Sequence, residues 1–423
     1  MVGRSAYRYR CCLSREHKKL SKISAEKRTM LRDYLLARRA DALMWTMILG
    51  SFFVGVAASV YRSVLVYPDS RYYLAMAYLY GGESPDDAQQ LTQNFMDGYG
   101  IPVPKTDDLF GWGMVQPRVF LPLFAALPVR AIGPMGLAVT VFAIHLAMTI
   151  AFTVVLRRRY GNGATLTTML LMGASWYLVS FNNGMLTESF SALWTVLTLM
   201  AAFWWVESRR RVALVLVAVT ILGSAFTRQA TFIVAGALMA AWVVGSLVAR
   251  KNNGWMAPAV VAAIVSVAAQ VFQSIVFPGF SQLEQFKRMT ETDTLGGAVL
   301  AVPRVIVMIL REDFASFLRG DTALLVLILL AIGSMVIFFR SEESHLLFGA
   351  IAGVALYNVT NANSTDFRYA VPGLIFFALS CALLCTRASA RLSENQTKAA
   401  SLHGGAERVS ADISGERISR DVD

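Results

Sequence analysis

Apolar runs of membrane-spanning length recur along this chain from about Ala42 to Cys385. They leave few folds open. In hydrocarbon every backbone N–H and C=O must be paired within the chain, which restricts spanning segments to helices or closed barrels. The runs are far longer than barrel strands, so the expected class is all-α: a polytopic transmembrane helical bundle. Composition agrees. Of 423 residues, 56% are apolar and only 16% charged, too few charges to cover a soluble domain of this size.

The net charge of +11 does not point to nucleic acid, because the excess is concentrated in the N-terminal tail and in short loops. Residues 1–41 form a basic tail, with a candidate amphipathic helix from Ser24 to Arg39. No cleavable leader is evident, so the first span, Ala42–Val64, reads as a signal anchor with its N-terminus inside. Clusters at Arg157–Arg159, Arg209–Arg211, Arg250-Lys251, Arg340 and Arg387 recur at every second loop. The positive-inside rule places all of them in the cytoplasm if the short apolar stretch Val119–Ile132, with Pro122, Pro128 and Arg130, is a half helix. About ten spans then make up residues 42–386. Two long extracytoplasmic loops are expected, at 67–116 and 278–321, the first containing short helices. Ser84-Pro85-Asp86-Asp87 is a helix cap signal. Gly296–Leu310 reads as a further span or a re-entrant piece. The tail 387–423 is expected to be disordered and, like the N-terminus, cytoplasmic. The setting is a plasma (inner) membrane.

This topology gathers polar residues on the outer face: Asp69, Arg71, Tyr72 and Tyr73 after the first span, then Gln116-Pro117-Arg118. Further along come Asn182, Asn183, Thr187 and Glu188; Thr227-Arg228-Gln229; Arg304, Arg311, Glu312 and Asp313; and Asp366-Phe367-Arg368-Tyr369. Charges tucked against apolar runs need partners, either each other or a charged ligand.

The order of these motifs resembles the GT-C superfamily of integral-membrane glycosyltransferases over about residues 42–386. The matching stretches are Asp69-Ser70-Arg71-Tyr72-Tyr73-Leu74-Ala75, Arg118-Val119-Phe120-Leu121-Pro122, Met185-Leu186-Thr187-Glu188-Ser189-Phe190 and Thr227-Arg228-Gln229-Ala230-Thr231. The family often carries a second acid directly after the first, where this chain has Ser70, and no periplasmic C-terminal domain follows here. The resemblance implies transfer of a sugar from a polyprenyl-phosphate donor to an envelope glycan or glycolipid acceptor on the extracytoplasmic face. Membrane lipids are the other implied partners. No cofactor is required, a divalent cation is an optional addition, and no metal ligands are expected. The alternatives are a transporter or flippase of a lipid-linked substrate, or an inactive scaffold of the same fold.

Such chemistry needs a base for the acceptor hydroxyl and cations for the departing phosphate. Asp69 is the candidate base, its carboxyl expected to be raised toward a useful range by desolvation; otherwise it caps a juxtamembrane helix. Arg118 and Arg228 suit phosphate oxygens, or else are snorkelling arginines. Glu188 binds sugar hydroxyls or caps its helix. Arg368 is a third phosphate contact or pairs with Asp366. Arg71, Tyr72 and Tyr73 complete the candidate substrate-binding set. Asp69 and Arg228 are both expected at a polar interface and not in a packed core. His145 reads as a hydrogen-bonded packing residue. Cys381 and Cys385, like Cys11 and Cys12, carry no metal or disulfide pattern.

Overall fold

A computed structural model describes residues 38–418 except 114, 251–252, 278, 280 and 362–366, with backbone alone at 282, 360–361 and 397–418. The chain divides into two compact units, Met1–Gly50 and Ser51–Asp423, and the account below concerns the second. Most of the basic tail and of the candidate helix at its end lies outside the described residues.

No strand occurs among the described residues. Among the described residues, six helices are long and apolar enough to cross a membrane: α1 (Arg38–Tyr61), α6 (Met135–Ala174), α8 (Glu188–Ser208), α10 (Thr231–Ala249), α11 (Met256–Val276) and the helix opening at Arg368, of which α16 (Val371–Ile418) is the α-helical part. Three shorter apolar helices join them: α5 (Phe120–Ile132), α9 (Arg211–Ala225) and α14 (Thr322–Ile337). The last long element, α15 (Glu342–Asn361), opens on two acids. At 13 residues α5 is about 20 Å long.

α6 is two helices. His145 hydrogen-bonds Asn183 at 2.8 Å across 38 residues, which unbroken helix would hold about 57 Å apart. The chain therefore folds back, and it does so at Gly161, whose φ of 76° no β-carbon favours. The return leg ends in α7 (Trp176–Asn183), restarted by Ser175, whose side chain accepts from Leu178 N–H.

The helix ends meet in two groups. At one end Tyr160 Oη donates to Glu343, Trp255 Nε1 to Glu342 and Thr386 Oγ1 to the Tyr160 carbonyl. Arg159 pairs with both glutamates, and Arg209 donates to the Gly254 carbonyl. The arginine clusters of the sequence thus border one end. The acids and arginines described next occupy the other.

Over that second end lie α2 (Ser70–Tyr80), α3 (Pro85–Asp97) and α4 (Thr106–Gly111). Ser84 caps α3 as its sequence signals, accepting from Asp87 N–H. Leu109, Met96 and Val115 share one buried apolar cluster with Leu121, Met185 and Leu186, so the loop 67–116 is folded down onto the helix ends. Residues 278–321, read as a loop, are mostly helical: α12 (Gln282–Met289) and α13 (Leu295–Gly320). Gly296–Leu310 falls inside α13, which carries Arg304, Arg311, Glu312 and Asp313 and is not among the six spanning candidates. α16 continues to Ile418 through the segment expected to be disordered; its Ala-, Ser- and Glu-rich composition is compatible with a solvated helix.

Candidate functional site: a buried arginine–carboxylate chain

Asp69 stands at the start of α2, in a turn fixed by Ser70, whose hydroxyl accepts from Tyr67 N–H at 3.0 Å. Its carboxylate makes no cap bond; Oδ2 instead accepts from Arg368 Nη2 at 2.7 Å. Glu188 is brought beside it by the segment before α8. Met185 N–H donates to the Leu65 carbonyl at 2.8 Å, and the Tyr67 ring lies so close over Gly184 that a β-carbon there would sit 2.6 Å from it. Arg228 occupies the tight turn between α9 and α10, its N–H bonded to the Ser224 carbonyl at 2.8 Å. Arg368 follows Phe367, which adopts φ 66° and donates its N–H to Asp313 Oδ1.

These groups form one continuous chain. Glu188 Oε1 accepts from Arg228 Nη1 at 2.6 Å and also from Arg368 Nε, and Arg368 reaches on to Asp69. Glu188 and Arg228 are both 0% exposed, against 23% for Asp69. Arg228 is further held by the Tyr357 hydroxyl at 3.0 Å, and the Tyr369 ring lies 4.8 Å from its guanidinium carbon. Arg118 comes from the α4–α5 connection. It donates to Tyr73 Oη at 2.8 Å and Gln229 Oε1 at 3.2 Å, both neutral. The site therefore sets three guanidiniums against two carboxylates. Among the buried polar atoms left without a partner are Arg228 Nη2, Glu188 Oε2 and Gln229 Nε2, and leaving such groups unpaired is costly unless something fills them.

Burial pushes the Asp69 carboxyl up, but Arg368, then Arg118 and Arg228, outweigh it and hold the carboxyl below its ordinary value. This reverses the sequence expectation. Desolvation is present as foreseen, yet the arginines that the fold brings in from distant positions dominate it.

Of the residues singled out in the sequence, the structure brings together Asp69, Tyr73, Arg118, Glu188, Arg228 and Arg368. Arg71 points the other way, donating to the Pro102 carbonyl and to Tyr72 Oη, and Tyr72 packs on Trp112 with ring centres 4.3 Å apart. Both tie the loop 67–116 down and neither bonds the ion chain. Asp366, one expected partner of Arg368, lies outside the described residues. Arg304 pairs with Glu291 on the surface. Arg228, expected outside a packed core, is fully enclosed. His145 is the hydrogen-bonded packing residue expected. Tyr357 was missed, because a lone tyrosine late in an apolar run gives no pattern to notice. No group of three or more His, Cys, Asp or Glu placed to hold a metal occurs among the described residues. No family model, curated protein or solved structure matches this chain.

Proposed function

We propose that the chain is a GT-C-like membrane glycosyltransferase, transferring a sugar from a polyprenyl-phosphate donor to an envelope glycan or glycolipid acceptor. The observation that carries the reading is the charge inventory of the site: three arginines around two carboxylates, with Arg228 Nη2 unpartnered and Arg118 bonded only to neutral groups. A phosphate diester or monoester is the anion that such a set of forked donors suits. In this reading Asp69 Oδ1 takes the proton of the acceptor hydroxyl while Oδ2 stays on Arg368. The hydroxyl oxygen bonds to the anomeric carbon, the bond from that carbon to the phosphate oxygen breaks, and polyprenyl phosphate leaves with its charge on Arg118 and Arg228. Glu188 Oε2, buried and without a partner, accepts from a sugar hydroxyl in this reading once donor binding opens the enclosure around it.

The placement in the membrane belongs to the same proposal. Taking the short helices α9 and α14, the two legs of α6, and α15 as crossings gives ten, with the arginine-rich end and both termini in the cytoplasm of a plasma membrane. The site then faces the extracytoplasmic side.

Assay of a purified, lipid-reconstituted chain with a polyprenyl-phosphate-sugar tests the activity. Asp69→Asn should lower the transfer rate about 10²–10⁴-fold at unchanged protein level. Unaltered transfer by Asp69→Asn would remove Asp69 from the mechanism. One observation favours the scaffold alternative: Glu188 and Arg228 already satisfy much of each other in full burial. It predicts no transfer by the wild-type chain with any donor while a deletion strain still loses envelope glycan.

A further inference from the structure

A cavity of about 640 Å³ opens on the side of the bundle, far down α8 from the ion chain, between the first leg of α6, α8 and α9. Its walls are apolar, with Val155, Leu197, Met200 and Val219 among them. It faces sideways, since Val219 is 53% and Trp204 37% exposed. Its two ends differ. Toward the ion chain it stops at Trp194, whose ring stacks on Phe190 at 5.3 Å and touches Phe120, itself against Phe226. Toward the arginine-rich end it stops at Arg158, Arg159 and Glu207; Arg159 is held by Glu342 and Glu343, while Arg158 and Glu207 are exposed and in no ion pair among the described residues. From Trp194 to Glu207 the groove follows about 20 Å of helix, about two-thirds of a hydrocarbon core of about 30 Å.

The geometry points to a bound phospholipid of the phosphatidylethanolamine class, lying with one acyl chain in this groove and its headgroup at the rim. An apolar lateral groove about 20 Å long fits a single acyl chain. The aromatic wall closes the end near the ion chain, so the polar head must lie at the other. There, beyond the already paired Arg159, the rim offers one cation and one anion unspent on each other: Arg158 for the phosphate and Glu207 for a primary ammonium, which can donate hydrogen bonds to a carboxylate. A phosphatidylglycerol head would meet Glu207 with no cation, and a choline head has no N–H to donate. The chain end would lie against Trp194. Its indole N–H donates to Thr227 Oγ1 at 2.9 Å, the residue before Arg228, so occupancy of the groove braces the turn that carries the buried arginine. This inference rests on the membrane setting and not on glycosyl transfer.

The test is native mass spectrometry of the full-length chain in detergent, titrated separately with phosphatidylethanolamine, phosphatidylglycerol, phosphatidylcholine and a polyprenyl phosphate. One phosphatidylethanolamine should stay bound at activation energies that strip the other two phospholipids. Arg158→Gln and Glu207→Gln should each weaken its retention about two- to five-fold, and Leu216→Trp, filling the groove from α9, should abolish it. Circular dichroism melting of each variant separates lost binding from lost fold; Val219→Trp is the second filling variant if Leu216→Trp does not fold. Equal retention of the three phospholipids overturns the headgroup assignment. Retention of polyprenyl phosphate instead, sensitive to Leu216→Trp but not to Arg158→Gln or Glu207→Gln, overturns the orientation. Retention of no lipid overturns the site.

Discussion

Glu188 holds two guanidiniums on one oxygen, and that makes it the residue on which the site depends for its existence. Removing one member of a buried ion pair leaves the other charged and undersolvated, at about 3–5 kcal/mol. Glu188→Gln should therefore lower the amount of folded protein and its melting temperature in detergent. Arg228→Lys should do the same more mildly, since an ammonium cannot keep the bonds to Glu188, Tyr357 and Thr187 together. Asp69, partly open to solvent, is the residue whose loss should spare the fold and affect chemistry. Its pH behaviour follows from the sign of its shift. Because the folded carboxyl titrates below 3.8, its pairing with Arg368 contributes in full above that value and is lost as pH falls through the lower, folded one. A transfer-rate profile should accordingly show no acid limb from Asp69 between about pH 5 and 7; a limb there that vanishes in Asp69→Asn would contradict the ion-paired geometry.

Helix pairing rests on small residues. In α15 Gly349 and Gly353 are one turn apart and face α10: a β-carbon on Gly349 would sit 2.1 Å from the Gly236 carbonyl oxygen, and one on Gly353 2.6 Å from Ile233 Cα. Backbone cannot yield as a side chain does, so Gly349→Val should cost at least about 2 kcal/mol. Gly333 in α14 is the control. Nothing lies within 4 Å of its β-carbon position, and Gly333→Ala should leave the melting temperature unchanged or raise it, because alanine gives up less backbone freedom in a helix. Both outcomes are read by thermal melting of the detergent-solubilised chain. The α10–α15 contact also shows where reading the sequence stopped short. The apolar runs that form α10 and α15 are visible in the sequence, and so is the Gly349-xxx-Gly353 spacing. Which helix it would meet is not, because lipid-facing and helix-facing apolar residues have the same composition. Tyr357 reaches Arg228 through that pairing, so it stayed hidden with it.

At the scale of the molecule, the alternation of arginine clusters foretold which helix ends lie together, because charge asymmetry is a property of the chain order alone. The membership of the site was legible in the same way: Asp69, Arg118, Glu188, Arg228 and Arg368 stand out as charges at the ends of apolar runs. Their partners were not, and the Asp69–Arg368 pair least of all. Orientation in the membrane remains to be read directly. A cysteine at Gly98, exposed beyond α3, should react with an impermeant thiol reagent applied outside intact cells. One at Gly163, in open space beyond the Gly161 turn, should react only after permeabilisation. The reverse pattern would place the arginine-rich end outside.

The Asp69–Arg368 bond spans 299 residues, and this has a consequence for biosynthesis. A chain emerging from the ribosome delivers its N-terminal part first. Asp69 and Glu188 are both in place long before the cation that joins them, and Glu188 has only Arg228 until then. The ion chain closes when the final helix is delivered. A nascent chain that stops short of Arg368 carries every other charged member of the site and leaves Asp69 without its bonded cation, so the site cannot close before residue 368 has been delivered.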